Sequence, residues 1–284
     1  MFIKNFFYKV KRKLFNLIFK ISFLEKPLPK DPFGKKLYGD KETYLYLHQE
    51  AIESENIEVS RFEKDYGYSI DKKWFSNLAL HTQACIKKSK LNYSHGKLLY
   101  TLLSNYLNNL KISNKHKSQI IIFETGTSRG FSAICMSKAL IDNKVKGNVI
   151  TIDCISHNEE IIWNCIDDFN GPRTRSKLLE EWKDELSNII FIQGWTRKTI
   201  HKIGIQRINF AFLDAQHTKK DVLNEFNYVA QRQLKGDIIF FDDVTQGLFE
   251  GVCEAVNEIE SKYPYKIKRL NFSNTRSYAF AVRN

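Results

Sequence analysis

The chain has 284 residues, 43% of them hydrophobic and 27% charged, with a formal net charge of +12 at pH 7. That balance excludes a disordered or fibrous chain and allows one large domain with an appendage, or two small domains. Residues 1–30 hold eight Lys/Arg against one acid, Glu25, so +7 of the charge is N-terminal; the other 254 residues carry only +5 and offer no basic body for nucleic acid.

The five cysteines (Cys85, Cys135, Cys154, Cys165, Cys253) are scattered and form no Cys-x-x-Cys pair. This argues against a disulfide framework and a structural zinc site, and for a reducing, cytoplasmic compartment. No run of about 18 uncharged apolar residues exists, so no membrane-spanning helix is expected. Met1 to Leu24 reads as a basic amphipathic helix. Ile3, Phe6/Phe7, Val10, Leu14, Leu17/Ile18, Ile21 and Leu24 recur at helical steps among lysines. Lys20 interrupts the apolar stretch and no small-residue cleavage site follows, which speaks against a signal peptide. An interfacial helix on anionic lipid, peripheral at the inner membrane surface, fits the pattern. So does a helix packed on its own domain or on a dimer partner, and so does a loosely ordered tail.

Pro27 to Gly34 breaks the chain. Residues 35–70 are polar and Tyr-rich, with weak periodicity over Glu42 to Ser54. Two helices are expected next, over Trp74–Ile86 and Leu98–Leu110. His81 and His95 within this region read as packed or surface histidines. Lys111 to Lys117 is a polar linker.

Ile120-Ile-Ile-Phe-Glu124-Thr-Gly126-Thr127-Ser128-Arg-Gly130-Phe131 is an apolar run that stops at an acid, passes through Gly-x-x-x-Gly and opens into helical periodicity over Phe131 to Leu140. It reads as strand, tight turn and helix, the first βα unit of a parallel sheet. Gly126 suits a sharp turn, and Gly130 leaves room for a close neighbour. The turn amides of Thr127 and Ser128 and the helix N-terminus face whatever binds at the carboxyl edge. A dinucleotide turn would read Gly-x-Gly-x-x-Gly; here Glu124 instead suits a cationic ligand. The stretch resembles motif I of the class I S-adenosylmethionine-dependent methyltransferases, Glu/Asp-x-Gly-x-x-x-Gly. In that class, helices ahead of the first strand commonly cover the ligand edge.

Asn148–Asp153 is the second strand, ending in a carboxylate placed to accept from both hydroxyls of a ribose, or to face solvent. Residues 155–187 read as helical and polar, with Gly171-Pro172 as a break. Asn188–Gln193 is the third strand, followed by Gly194-Trp195-Thr196, whose ring is either part of an adenine pocket or a packed surface side chain. Arg207–Leu213 is the fourth, ending at Asp214-Ala-Gln-His217. A helix capped by Thr218 runs to about Gln233. Asp237–Phe241 is the fifth strand, ending in Asp242-Asp243. A helix over Phe249–Ser261 and a closing hairpin, Tyr265–Leu270 with Ser277–Val282, complete the chain. The alternation specifies an α/β, doubly wound sheet with an antiparallel C-terminal edge. Residues 1–30 form a basic helix and break, 31–117 a helical cap, and 118–284 the catalytic domain.

Glu124, Asp153, Asp214, His217, Asp242 and Asp243 should converge at one rim, where cations must offset their repulsion. A sulfonium ligand is one candidate. A divalent metal at Asp214, Asp242 and Asp243 is another, and hard oxygen ligands suit Mg²⁺. From Ile120 onward the chain is similar to the broad family of sugar and small-molecule O-methyltransferases, cephalosporin-hydroxylase-like and rhamnosyl O-methyltransferase-like, with catechol O-methyltransferases more distant. The resemblance implies a Rossmann-like fold and S-adenosylmethionine held by Glu124, Gly126, Thr127, Ser128, Gly130, Asp153, Trp195 and Asp214. It implies metal ligands at Asp214, Asp242 and Asp243. In the catechol enzymes a lysine base stands three residues after the first ligand; His217 stands there, which shifts the base to His217 beside Asp214 and disfavours a catechol. The expected activity is methyl transfer to a hydroxyl of a glycan or small molecule, by a protein that could self-associate. Two alternatives remain open: a nicotinamide-dependent oxidoreductase, and a non-catalytic membrane-surface protein with this fold.

Overall fold

Successive side chains on a strand point to opposite faces, so a strand that is apolar throughout must be covered on both sides. β4 (Phe210–Leu213) and β5 (Ile238–Phe241) are of this kind, as is β1 (Ile120–Thr125) up to Phe123, and all but one of the residues in the three strands are buried. In the computed structural model, which describes residues 28–284 apart from 55, 113–118 and 273–275, their alternation builds two cores. Ile122, Phe210, Phe212 and Phe240 face one side of the sheet, and Phe123, Ala211, Ile239 and Phe241 face the other. The expected N-terminal amphipathic helix and the linker at 113–117 lie outside the described residues.

The sheet has seven strands in the order β3-β2-β1-β4-β5-β7-β6, with β2 at Gly147–Asp153, β3 at Ile189–Gln193, β6 at Tyr265–Leu270 and β7 at Tyr278–Arg283. β3 to β5 pair in parallel, and β7 runs antiparallel to both β5 and β6. The antiparallel pair lies at the edge as expected, but the final strand inserts beside β5 and leaves β6 outermost. That insertion brings the start of β7 next to the end of β5, since Phe241 pairs with Ala279.

Among the described residues, four helices precede β1: α1 (Lys41–Glu53), α2 (Ile57–Tyr66), α3 (Lys72–Thr82) and α4 (Ser94–Ile112). Asp40 caps α1 by accepting from Thr43 N at 2.8 Å, and Asp71 caps α3 by accepting from Trp74 N at 2.7 Å. Residues 35–70, illegible by periodicity, thus contain two helices. Leu98, Leu102 and Leu103 of α4 pack with Ile134 and Met136 of α5 (Phe131–Asp142) on the first face of the sheet. α6 (Lys219–Ala230) and α7 (Glu250–Lys262) cover the second through Phe226, Val229, Val256 and Ile259. Helices on both faces make the fold doubly wound.

The helical reading of residues 155–187 is corrected. The segment contains only short helical turns, at 166–170, 175–178, 180–182 and 183–186, with an antiparallel bridge between Ile161 and Arg173. Gly171-Pro172 prevents a continuous helix, and Asp168 satisfies the backbone N–H groups of Trp163 at 2.9 Å and Cys165 at 3.0 Å. Trp163, Cys165 and Leu178 close a small core of their own.

Candidate active site

The first βα turn is shaped by what presses on it. A Cβ at Gly126 would lie 2.0 Å from the carbonyl oxygen of Asp214, and its φ is +90°. The backbones after β1 and β4 therefore meet here, and only glycine fits. At Gly130 (φ +95°) the close neighbour is the Leu179 side chain from the 155–187 excursion.

Asp153, at the end of β2, stands beside this turn. Its Oδ2 accepts from Ser128 N at 2.6 Å and its Oδ1 from Ile155 N at 2.8 Å. Ser128 adopts a left-handed φ of +48° to present that amide. A cavity of about 200 Å³ opens in front, walled by Asp153, Cys154, Trp195 and Gln216 and reaching Gly126 and Asp214. A second cavity of about 270 Å³ continues from the same Gly126, Ser128 and Asp214. Its far wall includes Lys87, Asn92, His95, Asp242, Arg276 and Tyr278. Gly126 and Asp214 thus sit at the junction of two chambers.

Glu124 does not line either chamber. It is fully buried beneath the turn, its two oxygens accepting from the Ser132 and Thr151 hydroxyls. Burial raises its pKa to about 7, against the stabilising pull of those two hydrogen bonds. Thr127 is also buried, its hydroxyl 2.5 Å from that of Thr151.

Beside Asp214 and behind the chamber walls, His217 Nε2 lies 3.1 Å from Asp243 Oδ2 and 3.8 Å from Asp214 Oδ1. Arg276 approaches the other oxygen of Asp243 at 3.2 Å. Asp243 holds a left-handed φ of +57°, a strained conformation for a non-glycine residue at a strand end, and Asp242 Oδ1 accepts from its N–H at 2.6 Å. The neighbouring carboxylates of Asp214 and Asp243 raise the His217 pKa to about 10, so the imidazole is held as a cation. Burial together with the charges of Asp214 and Asp243 pushes Asp242 well above the carboxylate range. The rim acids therefore have two internal counter-charges, His217 and Arg276. As a cation His217 cannot itself accept a proton, which corrects the expectation of a histidine base and leaves the neighbouring Asp214 carboxylate, 3.8 Å from Nε2, as the proton acceptor.

The rim thus gathers Asp153, Asp214, His217, Asp242 and Asp243, with Gly126 and Ser128 between them. Asp214 Oδ1, His217 Nε2 and Asp243 Oδ2 lie within 4.8 Å of one another, so the tightest donor set takes His217 where Asp242 was expected. Three lining residues, and one that supports the turn from behind, went unnoticed in sequence. Lys87 and Asn92 come from the α3–α4 connection, which carries no motif. Arg276 precedes β7, and only the insertion of β7 beside β5 brings it to Asp243. Arg175, 2% exposed, donates to Ser128 O at 2.9 Å and Ile155 O at 3.3 Å from a stretch misread as helix. His81 and His95 match the packed reading: His81 Nδ1 lies 2.5 Å from Asp167 Oδ2, and His95 sits between the rings of Phe131 and Phe212.

Residues 123–244, from the second half of β1 to just past β5, match the model of a family described as a methyltransferase domain. Among solved structures, it is similar to the O-methyltransferase TomG from Streptomyces achromogenes, in complex with SAM, at 17% identity and a TM-score of 0.51 over 76% of this chain and 92% of that one. It is also similar to cofactor-bound Rv0187 from MTB, at 13% identity and a TM-score of 0.53 over 75% and 92%. These likenesses are of fold. A search of curated proteins finds no match. The matched region begins inside β1, so the four described helices before it lie outside the match. They share a continuous core with it, in which Phe75 and Leu98 pack with Phe131 and Phe212. No helix among the described residues is long and apolar enough to cross a membrane.

Proposed function

We propose that the domain transfers the methyl group of S-adenosylmethionine to a hydroxyl oxygen of a sugar or other small-molecule acceptor. The observation that carries this reading is the pair of chambers meeting at Gly126 and Asp214. The chamber beside β2 offers the Asp153 carboxylate for ribose hydroxyls and the Trp195 ring for adenine, and the Thr127–Ser128 turn faces the rest of the cofactor. Glu124 acts from beneath, holding the turn through Ser132. The acceptor enters the other chamber, so its oxygen meets the methyl carbon at the junction.

In the reaction the acceptor oxygen forms a bond to the methyl carbon as the carbon–sulfur bond breaks, its electron pair returning to sulfur and leaving a neutral thioether. The hydroxyl proton passes to the Asp214 carboxylate, with the His217 imidazolium beside it and Asp243 keeping that ring oriented. Positioning the oxygen in line contributes most to such a transfer. The donors also fit a hard divalent ion: Asp214 and Asp243 supply carboxylate oxygens, with His217 or Asp242 completing the set. Such an ion would lower the pKa of the acceptor hydroxyl. The basic, amphipathic pattern of residues 1–24 supports a further reading in which the protein works on a glycan presented at an anionic membrane surface.

The test is S-adenosylhomocysteine formation from labelled S-adenosylmethionine over a panel of neutral and charged glycans, with and without Mg²⁺ and chelator. Asp214→Ala and His217→Ala should each lower turnover by roughly 10²-fold or more, as expected for a positioned acid–base group. Turnover unchanged by both substitutions would refute the assignment of the proton acceptor. Activity that survives exhaustive chelation would remove the metal from the scheme.

A further inference from the structure

The two ends of the cleft differ in charge: among charged residues, acids alone line the cofactor chamber, and both signs line the acceptor chamber. At the cofactor end stand Asp153 and Asp214, suited to a sulfonium. At the other end Lys87 and Arg276 face the acceptor chamber together with Asp214 and Asp242, and Arg276 is already engaged by Asp243 at 3.2 Å, so Lys87 is the cation that leads outward. A third cavity of about 230 Å³ adjoins that chamber, and Cys85 and Lys87 belong to the walls of both. Lys88, Ser89 and Lys90 continue its rim, with Glu50 as the one acid and Leu47 and Leu91 as apolar wall. All three lysines are exposed, lie in the non-helical connection between α3 and α4, and form no ion pair with a described residue.

Surface lysines usually spread over convex, solvated positions, where like charges relax apart. Here three of them border one concavity that runs into the acceptor chamber, with almost no acid to balance them. Such a field concentrates anions, and the compact lysine ammonium is a point-charge partner for phosphate.

Resting on the methyltransferase reading, we propose that the acceptor is a phosphorylated glycan. Its phosphate or pyrophosphate is held by Lys87, Lys88 and Lys90 while the hydroxyl to be methylated extends to Asp214. The charge on three lysines exceeds what a single carboxylate requires and matches a phosphoryl group. Either a soluble sugar phosphate or one carried on a lipid would supply that group.

The test is titration of inorganic pyrophosphate into the full chain saturated with S-adenosylhomocysteine, at low and moderate salt. Binding is expected that weakens at the higher salt and falls about tenfold in Lys88→Gln/Lys90→Gln, the loss of two exposed charge contacts. The affinity of that variant for S-adenosylhomocysteine should match wild type. Methyl transfer should favour a sugar phosphate over the same neutral sugar, and comparing free with polyprenyl-linked sugar phosphate separates the two sources. Normal S-adenosylhomocysteine binding with no pyrophosphate binding, or with preference for the neutral sugar, overturns this proposal alone. Failure to bind S-adenosylhomocysteine overturns the reading beneath it.

Discussion

Glu124 ends β1 in complete burial, and its carboxyl is shared between the hydroxyls of Ser132 and Thr151. Its pKa in the folded protein, about 7, lies above the ordinary carboxylate value, so folding favours the protonated acid. The contribution is full below about pH 4.5 and is lost as pH rises toward about 7, on the order of a few kcal/mol in all. Glu124→Gln, which cannot ionise, should abolish that part of the fall. Stability measured by denaturant from pH 4.5 to 7.5 checks it; parallel curves for the two proteins would show that the acid ionises freely in the fold. The same residue marks what was legible in sequence. The acid, the two glycines and Asp153 were visible because a turn between two strands constrains residue type at fixed spacing. The direction in which Glu124 points depends on which face of β1 it occupies, and no motif states that. Gly126→Ala, with its Cβ driven into the Asp214 carbonyl, should remove cofactor binding and lower the melting temperature by several degrees.

The 155–187 excursion is the element most misread, and Arg175 explains its role. The guanidinium donates to the carbonyls of Ser128 and Ile155, the same two residues whose N–H groups hold the Asp153 carboxylate. The excursion thereby clamps the motif turn to the end of β2. A chain without helical periodicity, tied by one buried arginine and by Asp168, leaves no repeating signal in sequence. Arg175→Lys keeps the charge but not the fork. Losing one such buried hydrogen bond should weaken S-adenosylhomocysteine binding about tenfold or more, with much less effect on an acceptor-side probe such as pyrophosphate. Equal loss at both ends would mean that the excursion only supports the fold. The α3–α4 connection is the counterpart on the acceptor side, where Asn92 Nδ2 donates to the Tyr278 hydroxyl at 2.9 Å across the mouth of the chamber.

Across the whole molecule, the doubly wound class and its antiparallel edge were legible because strands and helices alternate along the chain before a closing hairpin, whereas the place of β7 inside that edge was not. Ile122 against Phe123 and Phe240 against Phe241 separate the two cores without further information. The acceptor wall was not legible, since Lys87, Asn92 and Arg276 are distant in the chain and meet only after β7 inserts between β5 and β6. The account as a whole rests on a cation-binding chamber at the carboxyl edge of β1, β2 and β4. Calorimetric titration of S-adenosylhomocysteine into wild type and Asp153→Asn tests it most directly. The account predicts micromolar binding to wild type and a loss of at least tenfold in the variant, with its melting transition preserved. No binding to folded wild-type protein, or equal binding to both, would contradict it.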